Sequence, residues 1–263
     1  MPGAIWSCTA QYFRSKVYII GGCNTYRSDW RSRNGNMVFD PHAKNISSFT
    51  SLINQRVNHA SVTLLGLLIV CGGDYRWYGY CRRNPHYRSD TTSSCESLSE
   101  HADGFSHVAA MQTPRSQLSM VSLNGYAYAI GGQYDGYWLK SVERYSVQHD
   151  SWEYVSSMHS ERVGHSAAEL GGLIYVCGSW ADRSCEKYNP DYDVWSKIAE
   201  MNVYRDRFSL VASGGSLFAL GGCWDGTERL VEKYDVTDDK WTLLKKKLMF
   251  ERCVSSAVVL GQA

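Results

Sequence analysis

Five short apolar runs in this chain each end on a glycine pair or a near copy of one: VYIIGG (Val17 to Gly22), LLIVCGG (Leu67 to Gly73), YAIGG (Tyr128 to Gly132), LIYVCGS (Leu173 to Ser179) and LFALGG (Leu217 to Gly222). Their first glycines, Gly21, Gly72, Gly131, Gly178 and Gly221, lie 43 to 59 residues apart. Spacing of that order marks a repeat architecture rather than a set of independent elements. It constrains the fold more than any other feature, because every repeat must build the same small unit and rest on its neighbours.

A second signal follows each pair. VERY (Val142 to Tyr145), CEKY (Cys185 to Tyr188) and VEKY (Val231 to Tyr234) each carry a tryptophan seven residues after the tyrosine: Trp152, Trp195 and Trp241. Met158 and Met201 follow six residues after the first two tryptophans, and Arg162 and Arg205 ten after; the last copy has one extra residue before Arg252. Degenerate copies keep the order, with Leu98, Phe105, Met111 and Arg115 in one and Phe39, Ile46, Leu52 and Arg56 in the other. Each unit therefore reads as four short strands: an arginine-led run, the run into the glycines, the Glu-x-Tyr run and the tryptophan run. Units span about 5–53, 56–111, 115–158, 162–201 and 205–249, with a further strand at 252–260. A four-stranded sheet cannot bury both faces alone, so successive sheets pack face to face around an axis, with Tyr and Trp filling the gaps.

These residues resemble the kelch repeat, and more narrowly the kelch domain of BTB–kelch proteins, which supply substrates to cullin-based ubiquitin ligases. The resemblance covers essentially the full chain; Ser179 in place of a second glycine and the weak first two copies depart from it. It implies an all-β kelch β-propeller with five four-stranded blades visible and an extra C-terminal closing strand. In that family the last strand completes the first blade. Two arrangements fit. Either three strands, with or without BTB and BACK domains, precede Met1 and the ring has six blades, or Arg252 to Leu260 pairs with Val17 to Ile20, displaces Ile5 to Phe13 and closes five. The first is preferred, since five-bladed rings are less usual for kelch repeats.

Composition narrows the functional classes. A formal net charge of +1 over 263 residues gives no global attraction to nucleic acid or anionic membrane, so charge-based recognition must be local. The longest apolar stretch, Val62 to Cys71, is far short of a spanning helix, and the N-terminus lacks the layout of a signal peptide. Nine cysteines, none spaced C-x-x-C, with Cys71, Cys177 and Cys253 inside apolar runs, favour reduced, buried thiols. The expected setting is cytoplasmic, with cytoskeletal or nuclear ones open. No phosphate-binding loop, metalloprotease or hydrolase signature occurs, so no enzyme, cofactor or metal is expected. His59 and His165, each three residues after an arginine, read as strand histidines satisfied by a neighbouring turn.

Function is expected in the connections after the glycines, which vary most in length: 10 residues from Gly178 to Tyr188 but 26 from Gly72 to Leu98. The long ones hold Arg27, Arg31, Arg33, Arg76, Trp77, Arg82, Arg83 and Arg88 among many aromatics. Arginine forks pair with carboxylate or phosphate and aromatic faces add contact area, which suits an acidic or phosphorylated peptide. A solvated loop kept soluble by its arginines is the alternative; single-stranded nucleic acid fits the neutral charge less well. In the resembling family, ligands lie across this rim and the turns before the arginine-led strands. The matching positions are Arg56, Arg115, Arg162, Arg205 and Arg252, with Tyr75, Tyr134, Trp180 and Trp224 after the glycines. The arginines could instead make a repeat-specific hydrogen bond to a turn carbonyl, a reading favoured by their presence in every blade. The partner expected is a protein or peptide, with a cullin ligase reached only through BTB and BACK domains not in this chain. An actin-binding scaffold is the second reading.

Overall fold

The computed structural model describes residues 5–24, 35–75, 90–223, 226–250 and 256–257. Among them every regular element is a strand. Five four-stranded antiparallel sheets follow one another along the chain, each in simple up-and-down order. Blade one is Thr9–Phe13, Lys16–Ile20, Asn36–Asp40 and Asn45–Phe49; blade two is Ala60–Leu64, Leu67–Cys71, Cys95–Ser99 and Ser106–Val108. Blade three is Ser119–Leu123, Tyr126–Ile130, Val142–Ser146 and Ser151–Val155. Blade four is Ser166–Leu170, Leu173–Ser179, Asp182–Asn189 and Val194–Ile198, and blade five is Ser209–Ser213, Ser216–Leu220, Val231–Asp235 and Lys240–Leu243.

The expected pattern of apolar faces is realised between blades. Tyr145 and Trp152 of blade three pack on Val62, Ile69 and Cys71 of blade two, and Tyr188 and Trp195 pack on Val121, Tyr128 and Ile130 in the same way. Tyr234 and Trp241 close on Tyr175 and Cys177. All three tryptophans are buried. Each also anchors one residue of the preceding blade from both sides. Trp195 Nε1 donates to the Ser156 carbonyl at 2.7 Å, while the Ser156 N–H donates to Asp193, which also accepts from the Tyr188 hydroxyl. Ala109 and Ala199 are held identically by Trp152 with Asp150 and by Trp241 with Asp239.

Glycines are required where blades approach most closely. Gly178 has φ +71°, and a Cβ there would lie 2.6 Å from the Arg205 carbonyl of the next blade. Blade four departs from the glycine pair at Ser179, and its hydroxyl explains why this is tolerated. It accepts from the Val163 N–H at 3.0 Å and donates to the Val163 carbonyl at 3.2 Å. In blades two and three the residue after the second glycine satisfies the matching strand position through its backbone, as Asp74 does with Val57 and Gln133 with Ser116.

The second of the two closure arrangements and one cysteine expectation are corrected. Thr9–Phe13 pairs with Lys16–Ile20 through a two-residue turn at Arg14 and Ser15, φ 49° and 58°, so the tail does not displace it. A local hairpin closes a far shorter loop than pairing with the chain end would. The tail strand 252–260 otherwise lies outside the described residues apart from Ser256 and Ala257, and Ser256 Oγ accepts from the Ala10 N–H at 3.0 Å. The second correction concerns cysteine: Cys71 is not a reduced thiol but is bonded to Cys95, its direct cross-strand partner. Cys177 is buried and free as expected, and Cys253 lies outside the described residues.

Candidate functional site

The recurrent arginines define the wall on which the candidate site stands. Arg56, Arg115, Arg162 and Arg205 are all 0% exposed and face Glu96, Glu143, Glu186 and Glu232 of their own blades at 2.6, 2.9, 2.8 and 3.1 Å. In Arg162 all five N–H donors are used. They reach the Gly178 and Ser184 carbonyls, the Ser184 hydroxyl and, twice, the Glu186 carboxylate. Only a planar guanidinium fork reaches so many acceptors from one position. Arg115 repeats the set with Gly131, Ser141 and Glu143. In blade five Leu230 stands where the others have serine, and Arg205 Nη2 is left without a partner.

The glutamates transmit this order to the preceding blade. Glu143 accepts from the N–H groups of Gln112 and Thr113, and Glu186 from those of His159 and Ser160, which fixes the connections that lead into the arginines. Burial works against the charged form of Glu186, but Arg162 and His159 more than compensate and hold its carboxyl below the usual range. Blade one lacks both partners together. Ile5 and Met37 occupy the arginine and glutamate positions, which leaves no buried charge unpaired.

Two residues beyond each arginine the chain turns into the left-handed region, at Asn58 (φ 56°), Gln117 (52°), Gly164 (64°) and Arg207 (49°). These residues are bonded blade to blade through the main chain. The Gln117 N–H donates to Asn58 O at 2.8 Å, Gly164 to Gln117 at 3.2 Å and Arg207 to Gly164 at 2.6 Å. The side chains of Asn58, Gln117 and Arg207, with the backbone of Gly164, stand at the mouth of a cavity of about 200 Å³, lined by the starts of the five innermost strands together with Ser256 and Ala257. At the mouth Arg207 Nε donates to Gln117 Oε1 at 3.3 Å, and Asn58 Nδ2 donates to Asp74 Oδ2 at 3.0 Å. Burial pushes the carboxyls of Asp74 and Asp206 up.

His59 and His165 lie deeper in the same cavity wall. Burial, reinforced by the neighbouring Arg56 and Arg162 respectively, drives both down to about 3, so both are neutral at ordinary pH. Among the described residues the expected turn partners are met loosely: His59 Nε2 has Thr9 Oγ1 at 3.3 Å, while His59 Nδ1 and both ring nitrogens of His165 lack a well-aligned partner. The backbones of Ile20 and Arg56 beside His59, and of Ile130 and Arg162 beside His165, still oppose the fall. Their rings fill the gap beneath Gly21 and Gly131 of the preceding blade, so shape rather than polarity places them there.

The sequence-derived candidates separate cleanly. Arg56, Arg115, Arg162 and Arg205 have no exposed surface, and apart from Arg56 Nε and Arg205 Nη2 their donors are committed inside the blades, as the turn-carbonyl alternative describes. Tyr75, Tyr134 and Trp180 are 41, 39 and 49% exposed, and none of them lines the cavity. Tyr75 also donates to Thr92 Oγ1, and Trp180 forms with Ala181 the two-residue turn between the second and third strands of blade four. Tyr134 lies on a small hairpin, Gln133–Tyr134 with Tyr137–Trp138, turned by Asp135 and Gly136. Arg27, Arg31, Arg33, Arg76, Trp77, Arg82, Arg83, Trp224 and Arg252 lie outside the described residues. Sequence reasoning missed Asn58, Gln117 and Arg207, and the exposed Tyr137, Trp138 and Tyr204. The available signal was the second position after each arginine, which is Asn58, Gln117, Gly164 and Arg207 in turn rather than one repeated residue.

The Kelch motif matches residues 114–159 and 204–247. Human Kelch-like protein 26 is 29% identical over 144 residues, 54% of this chain and 22% of its own length, and human Kelch-like protein 33 is 30% identical over 124 residues, 47% and 22%. Kelch-like protein 36 of Rattus norvegicus is 28% identical over 131 residues, 49% of this chain and 20% of its own length. The matched part of this chain thus spans about a fifth of these relatives. The solved structure of YjhT superposes with a TM-score of 0.76 over 93% of this chain and 86% of its own at 14% identity, a likeness of fold. Motifs and relatives together point to a non-catalytic protein-interaction module. With five four-stranded sheets, buried Tyr–Trp seams and glycines at the blade contacts, the chain is a kelch-repeat β-propeller that resembles the kelch-like proteins.

Proposed function

We propose that the propeller is the substrate-recognition part of a cullin-ligase adaptor and takes an acidic or phosphorylated peptide across the cavity mouth. The observation that carries the ligand class is Arg207. It is half-buried at the mouth, its backbone N–H donates to the Gly164 carbonyl, and its Nε donates to Gln117 Oε1. A guanidinium held in this way receives a carboxylate or phosphate without first being ordered. Exposed rings at Tyr134, Tyr137, Trp138, Trp180 and Tyr204 offer further flat contact area, with the Arg183 guanidinium 5.3 Å over the Tyr204 ring. The ligase link is supported by the kelch-like relatives alone, and the setting proposed with it is the cytoplasm.

The test is binding of the propeller to an array of acidic, phosphorylated and neutral decapeptides at two salt concentrations. Acidic or phosphorylated peptides are expected to be retained selectively and more weakly at high salt, with Arg207→Glu lowering their affinity at least about tenfold. Equal retention of neutral peptides, or no effect of Arg207→Glu, overturns the ligand class. Capture of the full-length gene product without a cullin, accompanied by co-sedimentation with actin filaments, replaces the adaptor reading with the scaffold one.

A further inference from the structure

Blades two and four carry cysteines at the same two places in the repeat. Cys71 and Cys177 immediately precede the first glycine, while Cys95 and Cys185 immediately precede the clamp glutamates Glu96 and Glu186. In both blades the two cysteines are direct partners across the second and third strands. Their surroundings match as well: Cys95 Sγ lies 3.7 Å from the Ser93 carbonyl, and Cys185 Sγ lies 3.7 Å from the Arg183 carbonyl. Each pair is covered by the Tyr and Trp of the following blade. Yet packing alone does not call for sulfur here, since Ile130 with Val142 and Leu220 with Val231 fill the same positions in blades three and five. The pair in blade two is closed as a disulfide, and the pair in blade four is open.

We infer that Cys177 and Cys185 are a second cross-strand redox pair, closed to a disulfide by exchange with a small-molecule disulfide such as oxidised glutathione. One cysteine thiolate attacks a glutathione sulfur and releases one glutathione thiol. The other then attacks the mixed disulfide and releases the second, so two protein thiols are oxidised and one glutathione disulfide is reduced to two thiols. Both side chains are buried, and burial lifts the Cys185 thiol well above its usual range, so exchange proceeds through opening of the strand pair at its Trp180–Ala181 turn. Closure ties the two strands beneath Trp180. The inference does not depend on the ligand reading.

The full chain is equilibrated in glutathione buffers from fully reduced to fully oxidised, approached from both directions. It is then quenched with N-ethylmaleimide in denaturant and digested with trypsin without reduction. Cleavage after Arg162, Arg183 and Lys187 places Cys177 in peptide 163–183 and Cys185 in peptide 184–187. At the oxidised end the two are expected as one species lighter than their sum by two hydrogens, alongside the linked peptides 57–76 and 89–115 that carry Cys71 and Cys95. Cys185→Ser is expected to abolish the first species and spare the second. Maleimide or glutathione on both Cys177 and Cys185 at the oxidised end overturns the inference, whether or not Cys71 and Cys95 are linked.

Discussion

The seam between blades three and four and the seam between blades one and two solve one packing problem with different chemistry. In the former, Trp195, Tyr188 and Asp193 hold Ser156 by both its N–H and its carbonyl. In the latter, Leu98 and Phe105 occupy the tyrosine and tryptophan positions and offer no polar hydrogen. That seam is apolar, with Phe13, Tyr18 and Ile20 against Leu68, Val70 and Leu98, and it gains its polar tie from the Arg14 guanidinium on the carbonyls of Ser99 and Ala102. The arginine–glutamate clamp nearer the centre is present beside both seams, as Arg56 with Glu96 and as Arg162 with Glu186. Periphery and centre are therefore separable: the outer staple can be lost while the clamp is kept, and where the clamp is lost, as in blade one, both charges go together.

The sharpest way to break this comparison is at the clamp. Arg162→Met leaves Glu186 buried without its cation and is expected to cost about 3–5 kcal/mol in urea unfolding, whereas Arg162→Met with Glu186→Met, which imitates blade one, recovers most of that loss. A double variant as unstable as the single one would show that the clamp cannot be exchanged for apolar packing.

A smaller, pH-dependent effect belongs to the staples. The Ala109 N–H, then the Tyr145 hydroxyl, lower the Asp150 carboxyl, and Ala199 and Tyr234 lower Asp239 in the same way. Asp193 is lowered too, with burial opposing and Ser156 and Tyr188 prevailing. A depressed native value means that the stability is fully present above the unfolded carboxyl value of about 3.9 and is lost as pH falls through the native one. The urea midpoint should therefore drop steeply below about pH 4 in the native chain. In the Asp150→Asn, Asp193→Asn, Asp239→Asn variant it should be lower at neutral pH and flatter below it. The smallest expected effect is at the unstapled seam. Phe105→Trp offers an indole N–H to the backbone of blade one, and a gain of about 1 kcal/mol or less is expected as a rise of a few degrees in Tm.

The blades were legible because their signals are local: a glycine pair, a tyrosine and a tryptophan at fixed short intervals report one strand each. The carbonyl partners of the arginines were legible from their recurrence in every blade, but the glutamate was not, since the one that neutralises Arg115 lies 28 residues further on, at 143. The recurring Ser-x-Glu of Ser94, Ser141 and Ser184 was the clue to that partner. The disulfide was hidden for a similar reason. Cys71 and Cys95 are 24 residues apart and become neighbours only once the register of two strands is known, so an odd cysteine count misled. His165 was read by its polarity, whereas its cavity selects it by shape.

The blade-to-blade bonds at Asn58, Gln117, Gly164 and Arg207 use only amides and carbonyls, and the side chains of Asn58, Gln117 and Arg207 are left to line the opening. Architecture and taste are thus written in different atoms of the same three residues. A lineage could exchange one guest for another by rewriting a few rim side chains, while the wheel beneath goes on folding as before.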